Sequence, residues 1–361
     1  MSPLRSDLFG EKIPWSEPAW YNALESPYYN KSHRALRQYI RDYIETHVLP
    51  FAEEWEDQGQ VPLEETVKFA KAGLAFPEIP KDYRSGSSLP GGVRDDGGSD
   101  LANLRTTATK SQDGKHYIVN GHKKWITGAL TATHMTTAVR TGGPGAGGIS
   151  VLVIPTSSMG FSARKIHNSG TNAGGSAWVD LENVLVPVDN LIGPENQGFP
   201  ILMSNFNTER FIMAVKMNRL ARQCLSTALE YSYNRETFGK PLVSHQIIRH
   251  KFTHLARYIE SHWAWIEQIA YHIKVSGWNS DVASRIALAK VHGGTLLEIA
   301  CREAQQVLGG AGYQRGGVGG TVEQISRDLR MLVVGGGSEE ILSDLAFRQE
   351  VSAAKKRGSM L

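Results

Sequence analysis

The chain has 361 residues, 41% of them hydrophobic and 21% charged, with a formal net charge of +3. This is enough for two or three packed units with their own cores, and the basic residues alternate with acids instead of forming the stripe that nucleic acid requires. Only two cysteines occur, Cys224 and Cys301, which fits a reducing compartment and argues against a disulfide scaffold or a Cys-rich zinc site, and no apolar run is long enough to span a bilayer.

In chain order, the N-terminal MSPLRSDLFGEKIPWSEP mixes acids and prolines, unlike a signal or transit peptide, and points to the cytoplasm. Leu36, Tyr39, Ile40, Tyr43, His47 and Val48 recur at helical spacing up to Pro50, and a second helix is predicted from Leu63 to Ala72, stopping at Gly73. The Gly-, Ser-, Pro- and Asp-rich YRSGSSLPGGVRDDGGSD, Tyr83 to Asp100, reads as a loop or domain boundary. Beyond it the period becomes that of strands. HYIVNGHKKWI is read as two apolar runs about an Asn120-Gly121 turn, GISVLVIP as a buried strand, and SAWVDLENVLVPVDNLIG as further strand and turn. GGPGAGG, Gly142 to Gly148, lacks the strand-turn-helix context of a dinucleotide fingerprint and reads as a flexible hairpin loop. After Pro200 only Pro241 interrupts, and Phe211, Ala214, Met217, Ala221, Leu225, Ala228 and Leu229 fall on one helical face, which predicts a bundle of long antiparallel helices. The organisation is thus α+β: helices over 1–93, a central β domain over 94–200 and a helical bundle over 201–361.

Several segments could carry chemistry, each with a plainer reading beside it. Trp125 and Thr127 end a strand in NGHKKWITGA and could simply pack there. Arg235 and Thr237, in RETFGKPLVSHQ between two helices, could hold a phosphate or form an ordinary turn. The pair Gly309-Gly310 could end a helix or admit a close approach. His245, His250 and His254 lack the partners of a metal site, so no metal is assigned. Glu209, early in a helix, could serve only its dipole.

Taken together and in order, GSDLANLRTTA, NGHKKWITGA, VPVDNLIGPENQGF, NTERFIMA, YNRETFGKPLVSHQ, LGGAGY and RDLRMLVVGGGSEEI resemble the acyl-CoA dehydrogenase family. The resemblance implies an N-terminal helical domain, a central β domain and a C-terminal four-helix bundle. It also implies FAD as cofactor, an acyl-CoA substrate oxidised to a trans-2-enoyl-CoA, an electron-transfer flavoprotein or oxygen as acceptor, and a homo-oligomer, dimer or tetramer. A carboxylate base, a flavin and donors to the thioester carbonyl are the chemical requirements. By resemblance Trp125 and Thr127 lie at the isoalloxazine; Arg235, Thr237, Phe238 and Gln246 match positions on the pyrophosphate and adenosine; Gln306, Gly309 and Gly310 match a loop supplied by a neighbouring subunit.

Many family members carry a glutamate base in Y-E-G-T; here Gly335, Gly336, Gly337 and Ser338 stand there, so Gly336 takes the acid's place. The long-chain and isovaleryl types instead carry the base on the first long helix of the bundle, and Glu209 fills that position. Gly336 then matches the backbone donor to the thioester, Ser338 and Glu340 lie near the flavin, and Arg210 and Ser99 match substrate-lining positions. The chain departs from the family just before its G-S-D motif, where a stretch of roughly fifty residues, including a strand ending in T-E-P, is missing. An inactive relative and an acyl-CoA oxidase are the alternative readings. Ser359-Met360-Leu361 resembles the peroxisomal S-K-L tail only loosely, so the compartment read from sequence is cytoplasmic or peroxisomal.

Overall fold

The computed structural model describes residues 9–75 and 101–358. They fall into two compact units, one drawn from Met1–Arg34 and Ser204–Leu361, the other from Ala35–Met203. Ser99 and the segment just before the G-S-D motif lie outside the described residues.

In the second unit, helix α1 (Lys31–His47) is followed by α2 (Ala52–Gln58) and α3 (Leu63–Lys71). The Tyr39 hydroxyl donates to the carbonyl of Ala72 at 2.8 Å, tying α1 to the end of α3. The strands are β1 (Thr107–Lys110), β2 (His116–Thr127), β3 (His134–Arg140), β4 (Ile149–Pro155), β5 (Phe161–Lys165), β6 (Ser176–Pro187) and β7 (Leu191–Ile192). They form one sheet in the order β5-β6-β2-β1-β3-β4-β7, antiparallel except for β1 beside β3. Tyr117, Val119, Ile126, Leu152, Ile154, Val179 and Leu181 are buried in one cluster, as alternation along half-buried strands demands. The Glu56 carboxylate of α2 accepts from the backbone N–H groups of Asn172 and Ala173 at 2.7 and 3.0 Å, anchoring the helix to the loop before β6.

The predicted turn at Asn120-Gly121 is not a turn. β2 runs through it as one strand of 12 residues with a register shift against β6 between Val119 and Gly121. Gly121 has φ of 142°, and a Cβ there would meet Thr106 Cα at 2.7 Å. The glycine therefore serves a bulge and a close strand crossing, a use that its dipeptide signal does not separate from a hairpin. The glycine-rich Gly142 to Gly148 does connect the antiparallel strands β3 and β4, and Arg140 holds it by donating to the carbonyls of Gly143 and Gly145 at 2.5 and 3.2 Å.

The first unit is helical: α4 (Gly198–Asn234), α5 (Gln246–Ser276), α6 (Ser280–Leu308), α7 (Gly320–Val334) and α8 (Glu339–Lys356). Ala214, Met217, Ala221, Leu225, Ala228 and Leu229 are all buried, so the apolar stripe read from α4 is the stripe that packs. Across it lie Phe252, Leu255 and Ile259 of α5 and Leu297, Ala300 and Ala304 of α6. Cys224 and Cys301 meet in this core as free thiols, Sγ to Sγ 3.7 Å. The segment before α1 returns to this bundle through fully buried Arg222, which donates to the carbonyls of Trp15 and Glu17 and to Glu260 of α5. Among the described residues no helix is long and apolar enough to cross a membrane.

Candidate active site

The glycine run sits where α7 hands over to α8. α7 makes its last helical bond from Gly335 N–H to the Met331 carbonyl at 2.8 Å and stops because Gly335 turns extended, after which the chain passes through positive φ at Gly336 (69°) and Gly337 (117°). Ser338, in extended backbone, opens α8, and Glu339 and Glu340 occupy its first turn, where carboxylates favour the helix dipole. The backbone N–H of Glu340 and the Ser338 hydroxyl hold the Glu340 carboxyl below its usual range.

Arg210, in the N-terminal part of α4 and next to Glu209 in the chain, reaches this run. Arg210 is buried, and its Nε donates to the Gly336 carbonyl at 2.8 Å. Burial lowers its pKa, while the neighbouring Glu209 carboxylate acts in the opposite direction. Glu209 is half-buried and accepts from the Asn205 side-chain amide at 2.8 Å, one helical turn earlier. A Cβ on Gly336 would stand 3.0 Å from Met213 Sδ and 3.5 Å from Arg210 Cγ. α4 therefore fills the space in which a side chain at 336 would begin.

A further charge reaches the run from α6. Lys290 of α6 is only 1% exposed, and its Nζ donates to the carbonyls of Val333 and of Gly337, the latter at 2.9 Å. Burial first, and Arg210 second, lower its pKa from 10.5 to about 8, with Glu339 acting against them. Sequence reading missed this residue; its one signal is a lone lysine set among Ile286, Ala287, Ala289 and Leu297 on the buried face of α6.

The other residues form separate groups. Strands β8 (Glu236–Thr237) and β9 (Lys240–Pro241) make a two-residue hairpin after α4, with Phe238 and Gly239 at positive φ in its turn. This leaves the Phe238 ring 95% exposed and places the Thr237 hydroxyl 3.3 Å from His245 Nε2, next to exposed Gln246; Arg235, at the hairpin's entry, is exposed as well. At the end of α6, Gln306, Gly309 and Gly310 are exposed, and added Cβ atoms on the two glycines would meet nothing within 4 Å. In the β unit a second register shift between Lys123 and Ile126 puts Trp125 at φ of 65° and turns its ring outward, with Lys124 Nζ 4.7 Å from its centroid; Thr127 is exposed beside it.

Comparison with known proteins gives a consistent result along the chain. Residues 30–90, 95–184 and 196–350 match the N-terminal, middle and C-terminal domains of acyl-CoA dehydrogenase. Acyl-CoA dehydrogenase AFT10-1 of Alternaria alternata is 36% identical, with 96% of this chain and 97% of the relative covered. That alignment spans 422 positions against 361 residues here, so the relative carries residues that this chain lacks. Among solved structures, a probable acyl-CoA dehydrogenase from Mycobacterium abscessus superposes with a TM-score of 0.82 at 32% identity, covering 90% of this chain and all of that one. An acyl-CoA dehydrogenase from Bacillus anthracis complexed with FAD shares the fold, with a TM-score of 0.81 at 20% identity over 91% of this chain and 68% of that one.

Proposed function

Because the chain belongs to the acyl-CoA dehydrogenase family, we propose that it uses FAD to oxidise an acyl-CoA thioester to the trans-2-enoyl-CoA, with Glu209 as the base. The observation that carries this reading is the join between α4 and the glycine run. Arg210 is bonded to Gly336, so the residue next to Glu209 in α4 is tied to the backbone that would meet a thioester carbonyl.

The residues assigned to FAD suit a large, flat, anionic group. Gly309 and Gly310 leave their backbone open to close approach, a bulge exposes the Trp125 ring, and the hairpin presents Phe238 and the Thr237 hydroxyl beside Arg235 and Gln246. Arg235 supplies the charge, and Gln246 and Gln306 supply amide donors. Bound FAD supplies the acceptor for a hydride from Cβ. Gln306, Gly309 and Gly310 act in this reading on the cofactor of a neighbouring copy, which makes the working protein a homodimer or homotetramer.

Glu209 takes the proton from Cα, and the negative charge that this releases moves onto the thioester oxygen. The Gly336 N–H donates to that oxygen, the kind of preorganised contact that is worth most where charge develops. Arg210 fixes the run from the α4 side and lines the substrate channel, with Ser338 and Glu340 completing the flavin end of the cluster. The electron acceptor in this reading is an electron-transfer flavoprotein or oxygen.

Anaerobic titration of the purified protein with acyl-CoAs of graded length and branching, followed in the flavin spectrum, tests cofactor, activity and substrate together. A yellow protein bleached by one member of the panel is the expected result. A colourless protein, or a yellow one that no thioester bleaches, points instead to an inactive relative. Rapid return of the colour on admitting oxygen identifies an oxidase.

A further inference from the structure

The charge behind the glycine run belongs to Lys290, which no role assigned above uses. A buried ammonium is retained against its desolvation cost only where acceptors receive it. Here its two acceptors are the carbonyl of Val333, in the last turn of α7, and that of Gly337, just before α8. The cation therefore closes the loop between the two helices from one side while Arg210 holds the Gly336 carbonyl from α4. Three carbonyls among residues 333–337 thus accept from buried cations. Such bonds polarise the peptide groups whose N–H groups belong to Val334, Gly337 and Ser338, and they fix the backbone on both sides of the Gly336 N–H.

We propose that Lys290 is a positioning residue for the thioester carbonyl, closing the Val333–Gly337 loop so that the Gly336 N–H stands ready for the oxygen as it gains charge. This rests on the proposed function of the site. Lys290 touches neither substrate nor flavin; it acts through the backbone. Its surroundings also make it sensitive to pH. Arg210 of α4 favours loss of its proton, Glu339 of α8 opposes it, and α7 offers it a backbone carbonyl, so with a pKa of about 8 the clamp weakens as pH rises through that value.

The test uses the acyl-CoA that bleaches the wild-type flavin, labelled with 13C at its carbonyl and bound to Glu209→Gln so that no turnover occurs. Infrared difference spectra report the polarisation of the bound carbonyl. Adding Lys290→Met should return the carbonyl band toward its position in free solution while flavin stays bound. In the Glu209 background, Lys290→Met should lower kcat by about 100-fold with KM little changed, the size of effect seen when an oxyanion donor is lost. Lys290→Arg, which can still bond two carbonyls, should restore most of the band shift.

An unaltered band in Lys290→Met, or kcat within a factor of about two of wild type, would overturn the proposal. If Lys290→Met does not fold, the same spectra of Glu209→Gln between pH 7 and pH 9.5 decide the matter. The shift should shrink through a midpoint near the Lys290 pKa, and a band constant over that range would overturn the proposal equally. Failure of the parent reading looks different: no acyl-CoA bleaches the wild type, or Glu209→Gln is bleached as the wild type is.

Discussion

At position 336 a side chain would have to start 3.0 Å from Met213 Sδ in a backbone whose φ is 69°. A carboxylate there would strain the loop and press on α4, which supports the proposal that the base stands elsewhere. Gly336→Glu combined with Glu209→Gln should therefore recover no flavin reduction, and Gly336→Glu alone should lower stability by about 1–3 kcal/mol in urea unfolding. Recovery of activity in the double variant would mean that the run accommodates an acid after all. Glu209 and the glycines are singled out by the resemblance, as an ordered pair: one position lost an acid and another carries one. Lys290 was not legible, since a single lysine in a helix is ordinarily solvated and only the fold reveals that carbonyls surround it. Arg210 was placed by resemblance as a substrate-lining residue, but its bond to the Gly336 carbonyl depends on two segments 126 residues apart in sequence.

Among the elements, helices α4, α5 and α6 enclose a polar chain that the apolar periodicity conceals. Arg222 Nε donates to Asn218 Oδ1 at 3.0 Å, the Asn218 amide donates to the Ile259 carbonyl at 2.9 Å and faces His262 Nδ1 at 3.3 Å, and His262 Nε2 lies 2.9 Å from the Ala289 carbonyl. The neutral imidazole satisfies both contacts, accepting at Nδ1 and donating at Nε2. Burial, with His292 beside it, lowers the His262 pKa from 6.5 to about 4. Above pH 6.5 the ring is neutral in both folded and unfolded chains, and this contribution to stability is complete. Between pH 6.5 and pH 4 the unfolded chain binds a proton that the folded one refuses, so stability falls as pH falls, by on the order of 3 kcal/mol at the lower end. Urea midpoints across that range should show the decline, and His262→Gln should lose that part of the slope; an unchanged slope would place the acid sensitivity elsewhere. Long elements were well read from sequence: α1, α3 and the face of α4 follow their periodicity closely. The short α2 was missed. The bulges at Gly121 and Trp125 were missed too, because a register shift depends on the partner strand β6 and not on β2 alone.

On the scale of the whole molecule, the helix, sheet and bundle order is that of the acyl-CoA dehydrogenase family. The return of the segment before α1 to the bundle, through Arg222 and through Arg219 bonded to Glu17 at 3.0 Å, joins residues about 200 positions apart, and no local pattern announces it. The family's chemistry needs a base, a backbone donor and a flavin surface. In the proposed function Glu209 is the first and the Gly336 N–H the second, and Arg210, beside Glu209 in the chain, is bonded to Gly336. The measurement that tests this most directly is the anaerobic reaction of Glu209→Gln with the thioester that bleaches the wild type. We expect a variant that stays yellow, binds that thioester and is not reduced. Bleaching at the wild-type rate would contradict the assignment and require another group to take the proton.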